Sequence, residues 1–173
     1  MKKLLFGLAL FPFSLIAMDP GSLVHQLTKA SFGLSPEDTA TVSNLLSNSI
    51  SPNKTVYGLP TPLHIAAANG KHDIVALLLA YGADVNKQHM ADGETPLHAA
   101  VLEINKIITK PEPTLQDTIN FYTYLYIIRL LLNEGANPHI PNNAGMTAFS
   151  QNKSPFVTQV FKTHSRHPKP QTN

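Results

Sequence analysis

The chain contains no cysteine, which excludes disulfides, thiolate metal sites and a cysteine nucleophile and is compatible with any compartment. Charge is scarce too: Lys, Arg, Asp and Glu make up 14% of 173 residues, against 43% apolar residues. That balance excludes a disordered acidic or basic chain and a coiled coil. No nucleophile motif, phosphate-cradling glycine loop or paired-carboxylate arrangement is present. A non-catalytic protein is therefore expected, a hydrolytic enzyme ranks last among the function classes, and no cofactor or metal is implied.

What is there begins with MKKLLFGLALFPFSLIAMDP. Lys2 and Lys3 precede an apolar, uncharged run from Leu4 to Ala17 that is too short to span a bilayer comfortably. It reads as a secretory signal peptide over residues 1–17. Removing it takes two of the 13 basic residues and leaves 11 against 11 acidic ones. Such a neutral domain offers no broad footprint for nucleic acid, and no membrane association is expected after cleavage. Export to the periplasm is the first expectation, and secretion as an effector acting on a host protein is the alternative. The basic end FKTHSRHPKPQTN has no apolar periodicity, so residues 164–173 are expected to form a disordered tail.

The stretch TPLHIAAANGKHDIVALLLAYGADVN, Thr61 to Asn86, encodes a helical hairpin. Thr61 can cap the open amides of a helix whose first position is Pro62, a residue with a fixed φ and no amide hydrogen. Leu63, Ala66 and Ala67 share one side, and Gly70 can end the helix in the left-handed region. Asp73 opens a second helix with a wide apolar face of Ile74, Val75, Leu77, Leu78 and Leu79, and Gly82 ends it. One such pair cannot bury its apolar faces alone and needs a stack of copies.

Copies are present. GETPLHAAVLEI repeats the first helix with Thr95, Pro96 and His98, and Thr95 lies 34 residues after Thr61. IIRLLLNEGANPHIPNNAGMTAF supplies a second helix, an exit at Gly135 and the start of another unit. At this point the sequence resembles the ankyrin repeat family. The resemblance implies an all-α solenoid of stacked helix-turn-helix repeats with short hairpin tips. In this chain it implies two full repeats, at 58–91 and 92–141, between an N-terminal helical cap at 18–57 and a degenerate C-terminal capping repeat at 142–163. Within the N-terminal cap, Ser35, Pro36 and Asp38 mark the start of a helix. For His64 and His98 the family resemblance implies a structural role, hydrogen bonding of the turn beside the capping threonine. His164 and His167 could hold a metal only weakly, and no designed metal site is expected.

Thr95 and Thr147 are 52 residues apart, roughly twenty more than a repeat needs, which places a helical insertion at about 105–126. The first helix is expected to continue through Ile104, Ile107 and Ile108 until KPEP breaks it. Thr114 and Asp117 look like an N-cap and its partner, and the second helix is expected from Leu115 to about Asn133, projecting beyond the stack. Phe121 and Tyr124 are in register with the core and are expected to pack against the isoleucines. Tyr122 and Tyr126 lie on another side and are the better binding candidates.

The family resemblance further implies a monomer that binds a partner protein through its tips and concave helix face. Candidate contacts there are Gln88, His89, Met90, Asp92 and Glu94 at the tip, with Asn69, Leu102 and Glu103 from the first helices.

Overall fold

Four threonines open helices in this protein, and each works in the same way. In the structure, a computed structural model describing residues 20–33, 35, 37–55 and 58–166, the hydroxyls of Thr61, Thr95, Thr114 and Thr147 each accept the amide three residues on. Pro62 and Pro96 follow two of them at the first helical position, where a missing amide hydrogen costs nothing. The segment expected to be a signal peptide, Pro36 and His167 lie outside the described residues.

Eight helices result among the described residues: α1 (Pro20–Ala30), α2 (Asp38–Ser47), α3 (Pro62–Ala68), α4 (His72–Ala80), α5 (Pro96–Ile108), α6 (Leu115–Asn133), α7 (Ala148–Gln151) and α8 (Pro155–Arg166). No strand forms among the described residues, and one isolated bridge joins Pro141 to Thr147. Odd-numbered helices pack on one another in an inner layer, α1 on α3, α3 on α5 and α5 on α7. Even-numbered helices do the same in an outer layer, α2 on α4, α4 on α6 and α6 on α8. This is an all-α stack of helix-turn-helix units. Both ends of α5 and the start of α6 fall where the capping threonines and the KPEP break place them, and the end of α6 falls just before Gly135. The hairpin of α1 and α2 stacks on the first repeat as a pair, although only α2 is evident from sequence. At the other end α8 runs through Arg166, so residues 164–166 are helical rather than part of a tail.

The core lies between the layers. Leu63, Ala66 and Ala67 of α3 and Leu97, Ala100 and Val101 of α5 are at most 1% exposed. Alanines at these positions let the inner helices approach closely, while Ile74, Val75, Leu78, Ile127, Ile128 and Leu131 fill the space behind them. Gly70, Gly82 and Gly135 leave their helices with φ of +70°, +81° and +90°. Gly93 is needed for a further reason: a β-carbon there would lie 2.8 Å from the backbone nitrogen of Asn143 in the next tip.

Two sets of polar side chains tie one unit to the next. His64 holds Thr61 Oγ1 through Nδ1 at 2.6 Å and the Glu94 carbonyl through Nε2 at 2.9 Å. His98 repeats this with Thr95 Oγ1 at 2.8 Å and the Met146 carbonyl at 3.1 Å. A carbonyl can only accept, so Nε2 carries the proton and Nδ1 accepts from the threonine hydroxyl. In parallel, the Asn53 amide donates to the Gly82 carbonyl and its oxygen accepts from the Asp84 amide. Asn86 does the same to Gly135 and Asn137 one unit later.

Leu78 is fully buried between units. Leu78→Ala is expected to cost about 2–5 kcal/mol in equilibrium urea unfolding, a large share of what a small stack has. A change within about 0.5 kcal/mol would place Leu78 outside the shared core.

Candidate functional site

The tip between the two repeats, Asn86 to Glu94, is held rigidly by its own backbone. The Gly93 amide donates to the His89 carbonyl, and the His89 amide donates to the Glu94 carbonyl, both at 2.8 Å. Side chains then fasten it to its neighbours. Gln88 Nε2 donates to the Gly93 and Pro141 carbonyls at 2.9 Å each. His89 bonds the Gly58 carbonyl through Nε2 and Asp92 Oδ1 through Nδ1, both at 3.0 Å. The Asp92 carbonyl in turn accepts the Asn143 amide at 2.8 Å. Successive tips are thus joined in a ladder along one edge of the stack.

Below this edge, on the inner layer, lies an open cleft of about 280 Å³. One wall is Thr28 of α1 and Phe32 in the turn that follows it, with Leu59 and Pro60 beside them. Its floor is His64, Ile65, Ala68 and Asn69 of α3, and the far wall is Ala99 with His89, Asp92 and Glu94 from the tip. Phe32 and Leu59 are 40% and 45% exposed, so this wall presents partly exposed apolar surface to the cleft. The cleft is therefore apolar at its α1 end and acidic at its tip end.

The electrostatics follow from the local bonds. Burial pushes the Asp92 carboxyl upward, but the Glu94 amide, the His89 ring and its charge outweigh this and hold it below its usual range. Glu94 moves the other way, raised first by burial and then by the neighbouring Asp92 charge. Burial also lowers the His64 imidazole, which keeps the ring neutral in the tautomer that its carbonyl bond requires.

Of the residues singled out from sequence, Asn69, His89, Asp92 and Glu94 converge on the cleft. Met90 stands at the crown of the tip, 85% exposed. Gln88 is occupied in joining the tips, while Leu102 and Glu103 lie along α5 away from the cleft, with Glu103 bonded to Lys106. Tyr122 and Tyr126 belong to α6 in the outer layer and do not meet the tip residues at all. Both are exposed, and the Tyr126 ring meets His72 edge-on at 5.7 Å. Phe121 and Tyr124 are half-buried against the core, but their specific contacts reach beyond α5. The Tyr124 hydroxyl donates to the Ala68 carbonyl of α3 at 2.8 Å, and Phe121 stacks edge-on with Phe156 of α8. Burial, with Glu103 nearby, pushes the Tyr124 phenol up to about 12.

At the turn that joins α5 to α6, Lys110, the Thr114 amide and the Thr114 hydroxyl bond the Asp117 carboxylate and lower it to about 2. Phe32, Leu59 and Ile65 escaped the sequence reading because only tertiary packing brings the turn after α1 and the loop before α3 against α3. For α1 the available signal was the spacing of four and three from Leu23 and Val24 to Leu27 in SLVHQLTKA. Among the described residues, no group of three His, Asp or Glu side chains could hold a metal ion. No helix there is long and apolar enough to cross a membrane.

Comparison with known proteins agrees with this architecture. Residues 29–113 match the family model described as ankyrin repeats (3 copies), so the match reaches upstream through α2. A fowlpox virus ankyrin repeat protein is 34% identical over 94 residues, 54% of this chain and 22% of its own length. A rat transient receptor potential cation channel, subfamily V member 6, is 33% identical over 104 residues, 57% of this chain and 12% of the channel. An ankyrin repeat protein of Rickettsia bellii is 46% identical over 50 residues, 29% of this chain and 20% of its own length. The matched part of this chain spans about a fifth or less of the length of these curated relatives.

The His64 shift carries a sign. Its folded value lies below the ordinary 6.5, so the unfolded chain binds a proton first as pH falls. Stability from this ring is full above 6.5 and declines below it until the folded ring also protonates. Unfolding midpoints are therefore expected to drop from neutral to mildly acidic pH more steeply in wild type than in His64→Gln. Parallel pH profiles would show that the ring is not buried as described.

Proposed function

Because the chain belongs to the ankyrin repeat family, whose repeats are generally protein–protein interaction modules, we propose that it is a non-catalytic adaptor or inhibitor that holds a partner protein in the inner cleft. The observation that carries this reading is the pairing of half-exposed Phe32 and Leu59 with a rigid, ionised tip edge across one concavity. An apolar cleft with a few fixed polar groups suits a protruding side chain of a partner. The apolar end supplies burial, and Asp92, Glu94 and Asn69 orient the segment. The exposed thioether of Met90 adds an adaptable contact at the rim.

Catalysis would need a base and a nucleophile or electrophile directed at a common point. Here the candidate groups are already committed: His64 and His89 hold carbonyls, and Asp92 holds His89 and the Glu94 amide. The family is typically non-catalytic, in keeping with that arrangement. Export is part of the proposal, supported by the basic start and short apolar run before Met18, with the periplasm as the first location and delivery outside the cell as the alternative.

Affinity capture from the source cell's envelope and medium fractions tests the reading. Leu59→Asp, at a half-exposed position, is expected to weaken partner retention at least about tenfold while the unfolding midpoint stays unchanged. Equal retention by wild type and Leu59→Asp would remove the cleft as the binding surface.

A further inference from the structure

The projecting part of α6 carries a feature that the cleft does not use. Leu115, Ile119, Tyr122 and Tyr126 are 79%, 51%, 64% and 51% exposed, and their spacing of four, three and four puts them on one helical stripe. Soluble monomers rarely expose a contiguous apolar strip along a helix, so this face calls for an occupant. The stripe runs about 16 Å at 1.5 Å per residue and faces away from the core positions Leu125, Ile128 and Leu131.

We propose that the occupant is a second copy of this chain, paired antiparallel along α6 about a two-fold axis midway between Asn120 and Phe121. The spacing is symmetric about that point. Leu115 falls opposite Tyr126 of the other copy, and Ile119 falls opposite Tyr122, so two large apolar layers form twice each. This is the self-complementary arrangement that an isologous dimer demands. The alternation of four and three also matches the knobs-into-holes seam of paired helices.

Charge agrees with the same register. Glu112, exposed in the turn before the helix, and Arg129, exposed beyond Tyr126, lie the same number of residues from the proposed axis. Each copy therefore places its Glu112 opposite the Arg129 of the other, giving one ion pair at each end. The residues flanking the stripe, Gln116, Thr118 and Thr123, are uncharged, so no like charges oppose one another across the seam. Phe156, 64% exposed beside Phe121, extends the apolar area at the margin. At 150–250 Å² per large side chain, these partly exposed groups offer on the order of 500 Å² per copy, or about 1,000 Å² in the pair. That lies at the lower limit for a specific interface, which makes the dimer concentration-dependent. It replaces the monomer expected from sequence and stands independently of the cleft.

Sedimentation equilibrium of the full chain from low to high micromolar concentration reads this out, with far-UV circular dichroism confirming that each variant is folded. A reversible monomer–dimer equilibrium is expected. Ile119→Glu should weaken it at least about tenfold, since it would bury a charge at the centre of the seam. Glu112→Arg and Arg129→Glu should each weaken it by setting like charges opposite each other, and the double charge swap should restore the wild-type constant. Leu59→Asp, in the cleft, should leave it unchanged. A chain that stays monomeric throughout overturns the proposal, even if the stripe then binds vesicles or another protein. So does a dimer that survives Ile119→Glu, or one in which the swap fails to restore association.

Discussion

One hydrogen bond sets the geometry of this stack. The ring of His64, and again that of His98, reaches from the capping threonine of its own helix to the carbonyl just before the next capping threonine. The bond therefore fixes where the following helix starts relative to the current one. Because each ring is buried, an unmade bond would leave a desolvated donor facing a desolvated carbonyl, which costs more than the bond contributes when made. The asparagine pair at Asn53 and Asn86 performs the same service at the exit loops. Between these two polar seams the apolar faces of the helices have one register in which to meet.

With the register set, two surfaces become possible that no single hairpin could hold. The tips align into an edge only because Asn143 packs against Gly93 and Gln88 reaches Pro141. That edge overhangs the inner helices, and the cleft is the space left between it and α1. The insertion acts on the other layer. It lengthens α6 to 19 residues, roughly 28 Å, while Tyr124 ties the long helix back to α3 so that the extra turns project as a rigid body. The inner and outer layers thus present different chemistry, a partly acidic concavity on one and an uncharged aromatic ridge on the other.

Much of this was legible in the residues themselves. The join of α5 to α6 could be read because two prolines in KPEP forbid continuation of α5 and because Thr114 and Asp117 form a local capping box at the start of α6. The stack could be read because Thr-Pro-Leu-His recurs at a repeat's spacing. The cleft was not legible, for a physical reason: it is made by α1, a loop at Leu59–Pro60 and a tip near residue 90, which only tertiary packing brings together. Single side chains were ambiguous in the same way. Gln88 looks like an exposed contact in a polar tip, yet its amide is used twice in joining tips. Tyr124 falls in core register, but nothing local says that its hydroxyl ends on Ala68.

The account rests on neutral histidines that donate through Nε2 to the neighbouring unit. A long-range proton–nitrogen correlation spectrum of the folded chain at neutral pH reports the tautomer of each ring directly. For His64 and His98 the expected result is a neutral ring with its proton on Nε2, slow to exchange with water. A proton on Nδ1, or a rapidly exchanging imidazolium at either position, would contradict the coupling between units on which the fold and both surfaces depend.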